Sequence, residues 1–199
     1  MIIFARHGET VAGVEDRYVG FSDSPLTEKG EMQAKLLGEY VKSKTPSRIL
    51  ASPRGRAIAT AEIVSTILCL PYQIDNRLAE ICYGSWELKT HAECRESPLW
   101  EKREKDFFHF RYPGFYQESA GESYDELYKR LVHVYSELDS TTELILIIAH
   151  SGVLRCARKF FEKIDDETFK NSKFVNSVLL SVKRSKDVLM TELIDVEQR

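Results

Sequence analysis

Hydrophobic and polar positions along the chain fall into blocks whose period changes from strand-like to helix-like and back. Ile2-Ile3-Phe4-Ala5 and Leu144-Ile145-Leu146-Ile147-Ile148-Ala149 are unbroken apolar runs, the pattern of strands buried on both faces of a parallel sheet; the second predicts the central strand. Ser47–Ala51 and Tyr72–Asp75 predict two shorter strands. Ser177–Lys183 and Val188–Asp195 predict a final pair joined by a polar turn at Arg184-Ser185-Lys186-Asp187. Between these runs the period lengthens. Thr27 is the N-cap of a predicted helix reaching about Lys44, with Met32, Leu36, Leu37, Tyr40 and Val41 on one face. Ser52-Pro53, a hydroxyl cap followed by proline, predicts a helix over about 53–68 that buries Ile58, Ala61, Val64 and Ile67 or their neighbours. Ser123 and Glu126 form a capping box ahead of the stripe Leu127, Leu131, Val134 and Leu138, and Val153-Leu154-Arg155 opens another helix.

Strands alternating with helices predict an α/β fold, a three-layer α/β/α sandwich with a mostly parallel central sheet. Residues 89–120 break the pattern. They hold six acidic and six Lys/Arg residues, so no net charge, followed by Phe107, Phe108, Phe110, Tyr112, Phe115 and Tyr116. Neither period holds throughout, which predicts a small cap insertion of one helix plus a loop within a single domain spanning 1–199.

Composition narrows the function. The 28 Lys and Arg against 31 Asp and Glu leave a formal charge of −3, which gives no global attraction to nucleic acid or to an anionic membrane. Cys69, Cys82, Cys94 and Cys156 form no CxxC pair and no metal-ligand spacing, and read as scattered buried thiols of a reducing compartment. No apolar run approaches membrane-spanning length and no basic-then-apolar leader opens the chain, so the expected location is cytoplasmic.

Both double-faced strands end in a histidine. The first runs into Arg6-His7-Gly8 and the second into His150-Ser151-Gly152, where a helix opens. Parallel pairing puts both imidazoles at the carboxyl edge of the sheet, where open α/β sheets bind ligands. The free N–H groups of the helix beginning at Ser151 make an anion site, and Arg6 adds a permanent cation of bidentate geometry. Arg56, in the first turns of the helix after the second strand, projects from the same edge. Two arginines, two histidines and a helix N-terminus describe a phosphate pocket.

Arg6-His7-Gly8-Glu9-Thr10 resembles the RHGET signature of the histidine phosphatase (phosphoglycerate mutase-like) superfamily, and its companions follow in order. Arg17-Tyr18-Val19-Gly20 is similar to the R-x-x-G of the phosphate loop, and Pro25-Leu26-Thr27-Glu28-Lys29-Gly30 to P-L-T-x-x-G. Ser52-Pro53-Arg54-Gly55-Arg56-Ala57-Ile58-Ala59-Thr60-Ala61 is similar to S-x-x-x-R-A-x-x-T-A. Leu78-Ala79-Glu80 with Gly84-Ser85-Trp86-Glu87, then Gly121-Glu122-Ser123 and Ala149-His150-Ser151-Gly152, complete a set spanning residues 6–155.

The resemblance implies a metal-independent phosphomonoesterase with no cofactor, acting on a small phosphate ester, in the branch of the α-ribazole phosphatase-like and broad-specificity enzymes. His7 is then the nucleophile, neutral and held in one tautomer. Arg6, Arg56 and His150 hold the phosphoryl oxygens, and Glu80 is the general acid and then the base. Substrate contacts are implied for Arg6, Thr10, Arg17, Gly20, Phe21, Arg56, Glu80, His150 and Ser151. Two positions depart from the pattern: Gly13 stands where the family usually has asparagine, and Leu88 where glycine is more common. Of the other histidines, His133 on the long helix reads as structural and His109 as a solvated cap residue; His91 has no ligand spacing. Two alternatives stay open. One is a mutase, which the charge-balanced cap disfavours; the other is a catalytically silent phospho-ligand binder, which would have no use for Glu80.

Overall fold

In the computed structural model, which describes residues 1–176, 178–185 and 188–198, the two apolar runs are neighbouring inner strands of a six-stranded sheet. The elements begin with β1 (Ile2–Arg6), α1 (Val11–Val14), α2 (Glu28–Lys42), β2 (Arg48–Ala51), α3 (Gly55–Leu68) and β3 (Tyr72–Ile74). Residues 89–120 contribute α4 (His91–Arg95), α5 (Trp100–Lys105) and the small hairpin β4 (Phe115–Tyr116) and β5 (Ser119–Ala120). The chain continues through α6 (Tyr124–Asp139), β6 (Ile145–Ala149), α7 (Ser151–Glu162), α8 (Asp166–Asn171), β7 (Val178–Ser185) and β8 (Val188–Asp195).

Strand order is β3-β2-β6-β1-β7-β8. β1, β2, β3 and β6 are parallel, while β7 and β8 run antiparallel at one side. Side chains alternate across the sheet as the pleat requires. Ile2, Phe4, Ile145 and Ile147 join Leu127, Leu131, Val134, Val153 and Leu154 of α6 and α7 on one face. Ile3, Ala5, Leu146 and Ile148 join Leu37, Val41, Ala57, Ala61 and Val64 of α2 and α3 on the other. This is the three-layer sandwich expected from the pattern.

Several local expectations need correction. On α2 the buried face is Gln33, Ala34, Leu37, Gly38 and Val41, whereas Met32 is 54% exposed and Leu36 also faces solvent. A Cβ on Gly38 would fall 2.8 Å from Ile67, so the glycine lets α3 approach closely. The Ser52-Pro53 pair does not start α3. That helix begins at Gly55 without a side-chain bond from its own N-cap Arg54, and the Asp23 carboxylate takes the N–H groups of Gly55 and Arg56 instead (3.1 Å for Arg56). The cap holds two short helices and a hairpin rather than one helix and a loop. Its Phe107, Phe108 and Tyr112 are buried against the body, stacking with Tyr124, Phe169, Tyr83 and Trp86. Cys69 is exposed while the other three cysteines are buried. Of the predicted last turn, Arg184 and Ser185 extend β7, and Lys186 and Asp187 lie outside the described residues, as does Ser177. α1 and α8 are too short to show a period in the sequence.

Candidate active site

The β1–β6 register pairs Arg6 with Ala149, so His7 and His150 leave the sheet side by side, and the His7 N–H donates to the Ala149 carbonyl (3.0 Å). Their ring centroids lie 5.2 Å apart. His7 is 3% exposed. Its Nδ1 is 2.8 Å from the Gly8 carbonyl, which can only accept, so Nδ1 carries the hydrogen. The Arg56 Nε–H points at Nε2 (3.2 Å), so Nε2 holds the lone pair. Burial first, then the charges of Arg56 and Arg6, hold His7 well below the ordinary imidazole range. The bond to Gly8 opposes this. A neutral imidazole with a fixed free nitrogen is the result. His150 is fully buried and depressed for the same first reason, aided by Arg56, His7 and Arg6; its Nε2 lies 2.6 Å from Ser52 Oγ, and its Nδ1 is buried without a partner.

Arg56 is a buried cation held by carbonyls. Its NH1 donates to Ser22 O (2.8 Å) and its NH2 to Val19 O (3.0 Å) and Gly20 O (2.9 Å). That loop is anchored in turn by the buried Glu87 carboxylate. One oxygen accepts from Gly20 N (3.0 Å), Ser22 N (3.1 Å) and the Ser22 hydroxyl, and the other from Phe21 N (2.9 Å) and Tyr83 N (2.9 Å). Glu87 thus presents the carbonyls that aim Arg56 at His7.

Glu80 is 4% exposed and sits against the N-terminus of α7. Its carboxylate accepts from Gly152 N (3.0 Å) and Ile81 N (2.9 Å). A Cβ on Gly152 would fall 2.2 Å from Glu80 Oε1, so only glycine admits the acid there. Burial raises the Glu80 pKa above the ordinary carboxyl range, against the two backbone bonds and the pull of Arg56 and Arg6. Behind it, Arg130 donates to Ala79 O (2.9 Å) and pairs with Glu122 (3.1 Å), which itself accepts from Cys82 N (3.0 Å). The Gly121-Glu122-Ser123 motif therefore braces the acid-bearing segment and then caps α6.

Arg6, His7, Thr10, Arg17, Arg56, Glu80 and Ser151 line one cleft of about 530 Å³. Thr10 Oγ1 accepts from Gly13 N (3.2 Å), and Gly13 lies on the wall, where a Cβ would sit 2.9 Å from that oxygen. Arg17 faces the cleft but is paired with Glu15 and Leu88 O (2.7 Å). Gly20 and Phe21 are not on the wall: their amides serve Glu87, and the Phe21 ring lies under Arg54. His150 sits behind the wall against His7. His109 is exposed and bonded to Asp106 (2.8 Å), and His133 is exposed rather than packed as structure. His91, given no role by spacing, lines the cleft with its ring on Tyr18.

The cap's charge balance does not survive folding. Among the described residues lining the cleft, Arg95 and Arg103 are joined by Arg17, Arg155 and Lys173, against the carboxylates of Asp16 and Glu80, while Glu15 and Glu104 pair Arg17 and Arg103. The argument from a neutral cap to hydrolysis over phosphoryl transfer therefore falls. Sequence reasoning also missed the segment 172–176. Arg6 NH1 donates to Phe174 O (2.8 Å), Arg155 Nε to Ser172 O (2.7 Å), and Asn176 Nδ2 to the His7 carbonyl (2.6 Å). No local pattern marks Phe174 and Asn176, because their partners Arg6 and His7 lie 168 and 169 positions away.

Comparison with known proteins places the chain in a family. The histidine phosphatase superfamily (branch 1) matches residues 2–193. Mouse 6-phosphofructo-2-kinase/fructose-2,6-bisphosphatase 1 is 34% identical over 171 residues, covering 83% of this chain and 34% of that protein. Human 6-phosphofructo-2-kinase/fructose-2,6-bisphosphatase 3 is 35% identical over 164 residues, 80% of this chain and 29% of that one. The chain thus spans about a third of the length of these curated relatives. Among solved structures, Bacillus stearothermophilus YhfR superposes with a TM-score of 0.79 at 29% identity, covering 95% of this chain and 93% of that one. The alpha-ribazole phosphatase from Shigella flexneri shares the fold with a TM-score of 0.82 at 23% identity, covering 98% and 95%.

Proposed function

Given that this chain belongs to the histidine phosphatase superfamily (branch 1), we propose that it hydrolyses a phosphate monoester through a phosphohistidine on His7, without a metal ion. The observation that carries the reading is the fixed state of His7: neutral, hydrogen on Nδ1, lone pair on Nε2 beside a buried guanidinium. Nε2 attacks phosphorus, the bond to the ester oxygen breaks, and Glu80 delivers its proton to that oxygen. Glu80, now a carboxylate, takes a proton from water; the hydroxide attacks phosphorus, the P–N bond breaks, and phosphate leaves with His7 neutral again. Arg6 and Arg56 offset the charge spread over the phosphoryl oxygens, which is the work a metal ion would otherwise supply, and neutral His150 and the first turn of α7 add hydrogen-bond donors.

The cleft favours a substrate with a second anionic group. Arg95, Arg155 and Lys173 add positive charge beyond what one phosphoryl group needs, Arg17 and Arg103 being paired with Glu15 and Glu104, and the relatives named fructose-2,6-bisphosphatase point to the same class. The same excess of cations is what a mutase would use, so the assay must follow the acceptor. Phosphate release is measured from p-nitrophenyl phosphate and from sugar phosphates with and without a second phosphate or carboxylate, in excess EDTA, with His7→Ala alongside. Release that survives chelation, vanishes in the variant and shows a lower KM for the doubly anionic substrates is expected. Release that needs metal or persists in His7→Ala refutes the mechanism, and equal KM values refute the substrate class. Phosphoryl groups appearing on an alcohol rather than in water would make it a mutase.

A further inference from the structure

Ser52 follows the last residue of β2, and its N–H donates to Ile148 O (3.0 Å), which fixes its backbone against the central strand. The residue is fully buried, and so is its neighbour His150. Oγ lies 2.6 Å from His150 Nε2 and also receives the Arg54 N–H (3.4 Å). A hydroxyl can give one hydrogen and accept at two lone pairs. The Arg54 amide occupies one lone pair, and among the described residues Nε2 is the acceptor within reach of the buried hydroxyl hydrogen, which would be left without a partner if Nε2 were the donor. Nε2 must then accept, which leaves the ring hydrogen on Nδ1. That nitrogen is buried and has no protein partner, a state that costs free energy unless a partner arrives with the ligand. The opposite tautomer would leave a lone pair at the unpartnered position, where a phosphoryl oxygen would be repelled.

We propose that Ser52 is a positioning residue that sets the tautomer of His150, so that Nδ1–H donates to the phosphoryl group held at His7. The inference rests on the phosphohistidine reading of the site. Ser52 touches no substrate atom and moves no proton; it acts only by deciding which ring nitrogen is the donor. This gives the serine of Ser52-Pro53 a role at a place where it caps no helix.

The experiment compares the full chain with Ser52→Ala and Ser52→Thr. Ring nitrogens of histidine are labelled with 15N and the enzyme is saturated with orthovanadate, an analogue of the transferred phosphoryl group. The expected wild-type spectrum has protonated Nδ1 and unprotonated Nε2 on His150. In Ser52→Ala, kcat/KM and vanadate affinity fall together by about ten- to a hundred-fold, the range for a buried group left without its partner. Ser52→Thr, which keeps the hydroxyl, restores the tautomer and most of the activity. A purely structural role would lower the melting temperature without changing vanadate affinity. Nε2 protonation in the wild type, or Ser52→Ala within threefold of wild type on both measures, overturns the proposal; if Ser52→Ala does not fold, the wild-type tautomer and Ser52→Thr decide it. Failure to trap a phosphoenzyme in the wild type would overturn the reading of His7 instead, and because the tautomer is read without turnover the two failures are distinct.

Discussion

Glu87 offers the sharpest quantitative test of how the site is held. Its carboxylate divides its work between two oxygens: one receives the Gly20 and Ser22 amides, the other the Phe21 and Tyr83 amides. Glu87→Gln keeps the shape but turns one oxygen into an NH2 group that faces N–H donors. Whichever way the amide is oriented, two main-chain N–H groups lose their acceptor. Hydrogen bonds to a charged acceptor contribute about 1.5–3 kcal/mol each and are less than additive within one network. Two of them at the lower figure predict a loss of roughly 3 kcal/mol, which for a chain of this size lowers Tm by roughly 6–12 °C. The same change loosens the carbonyls of Val19, Gly20 and Ser22 that aim Arg56, so kcat/KM should fall as well. Urea unfolding at neutral pH, with Glu87→Asp as the charge-preserving partner, measures the first effect and phosphatase assay the second. A Glu87→Gln protein within about 0.5 kcal/mol of wild type, with unchanged turnover, would refute the view that this carboxylate holds the loop.

Glu80→Gln should slow esters of poor leaving groups far more than aryl esters, because only the former need a proton delivered; equal losses would remove Glu80 from the acid role. In the wild type the alkaline limb of kcat/KM reports loss of the Glu80 proton and lies above the usual carboxyl value of 4.5, since burial raises it, while neutral His7 keeps the acid limb well below 6.5. Glu80→Gln should therefore abolish the alkaline limb and spare the acid one, which a pH–rate profile on an aryl ester reads directly. Leu88 has φ of 64°, and its N–H and carbonyl are both engaged, with Tyr18 O (2.8 Å) and Arg17 (2.7 Å), so it cannot relax. Left-handed backbone costs a residue with a Cβ about 1–2 kcal/mol, so Leu88→Gly should raise unfolding stability by about 1 kcal/mol; no gain in a urea titration would refute the strain.

What the sequence makes legible follows from where physical constraint is local. β1 and β6 are readable because a strand covered on both faces admits only apolar residues, and the two histidines are readable because both runs stop at one. The capping box at Ser123 is complete within four residues and appears as expected. Constraint carried across the fold is silent in the pattern. The α2 face differs from the apolar count because small Gly38 lies against Ile67 of α3, while apolar Met32 and Leu36 point outward. The start of α3 at Gly55 leaves no local mark because its amides are taken by Asp23, more than thirty residues earlier. The cap looked neutral because a charge count cannot tell which side chains face the cleft.

The placement of β1 has a consequence for the order in which the protein is made. Both of its sheet neighbours, β6 and β7, come late, and about 140 residues separate Arg6 from Ile145. At a synthesis rate of roughly 5–20 residues per second, the Ile2–Ala5 run stays without a partner strand on the order of ten seconds. During that window it is an unpaired apolar segment open to chaperones or to other nascent chains. The His7 carbonyl receives its last bond only when Asn176 has emerged. A ribosome-bound chain ending before β6 should therefore be catalytically inert, and the yield of active protein should depend on how well that first strand is shielded while it waits.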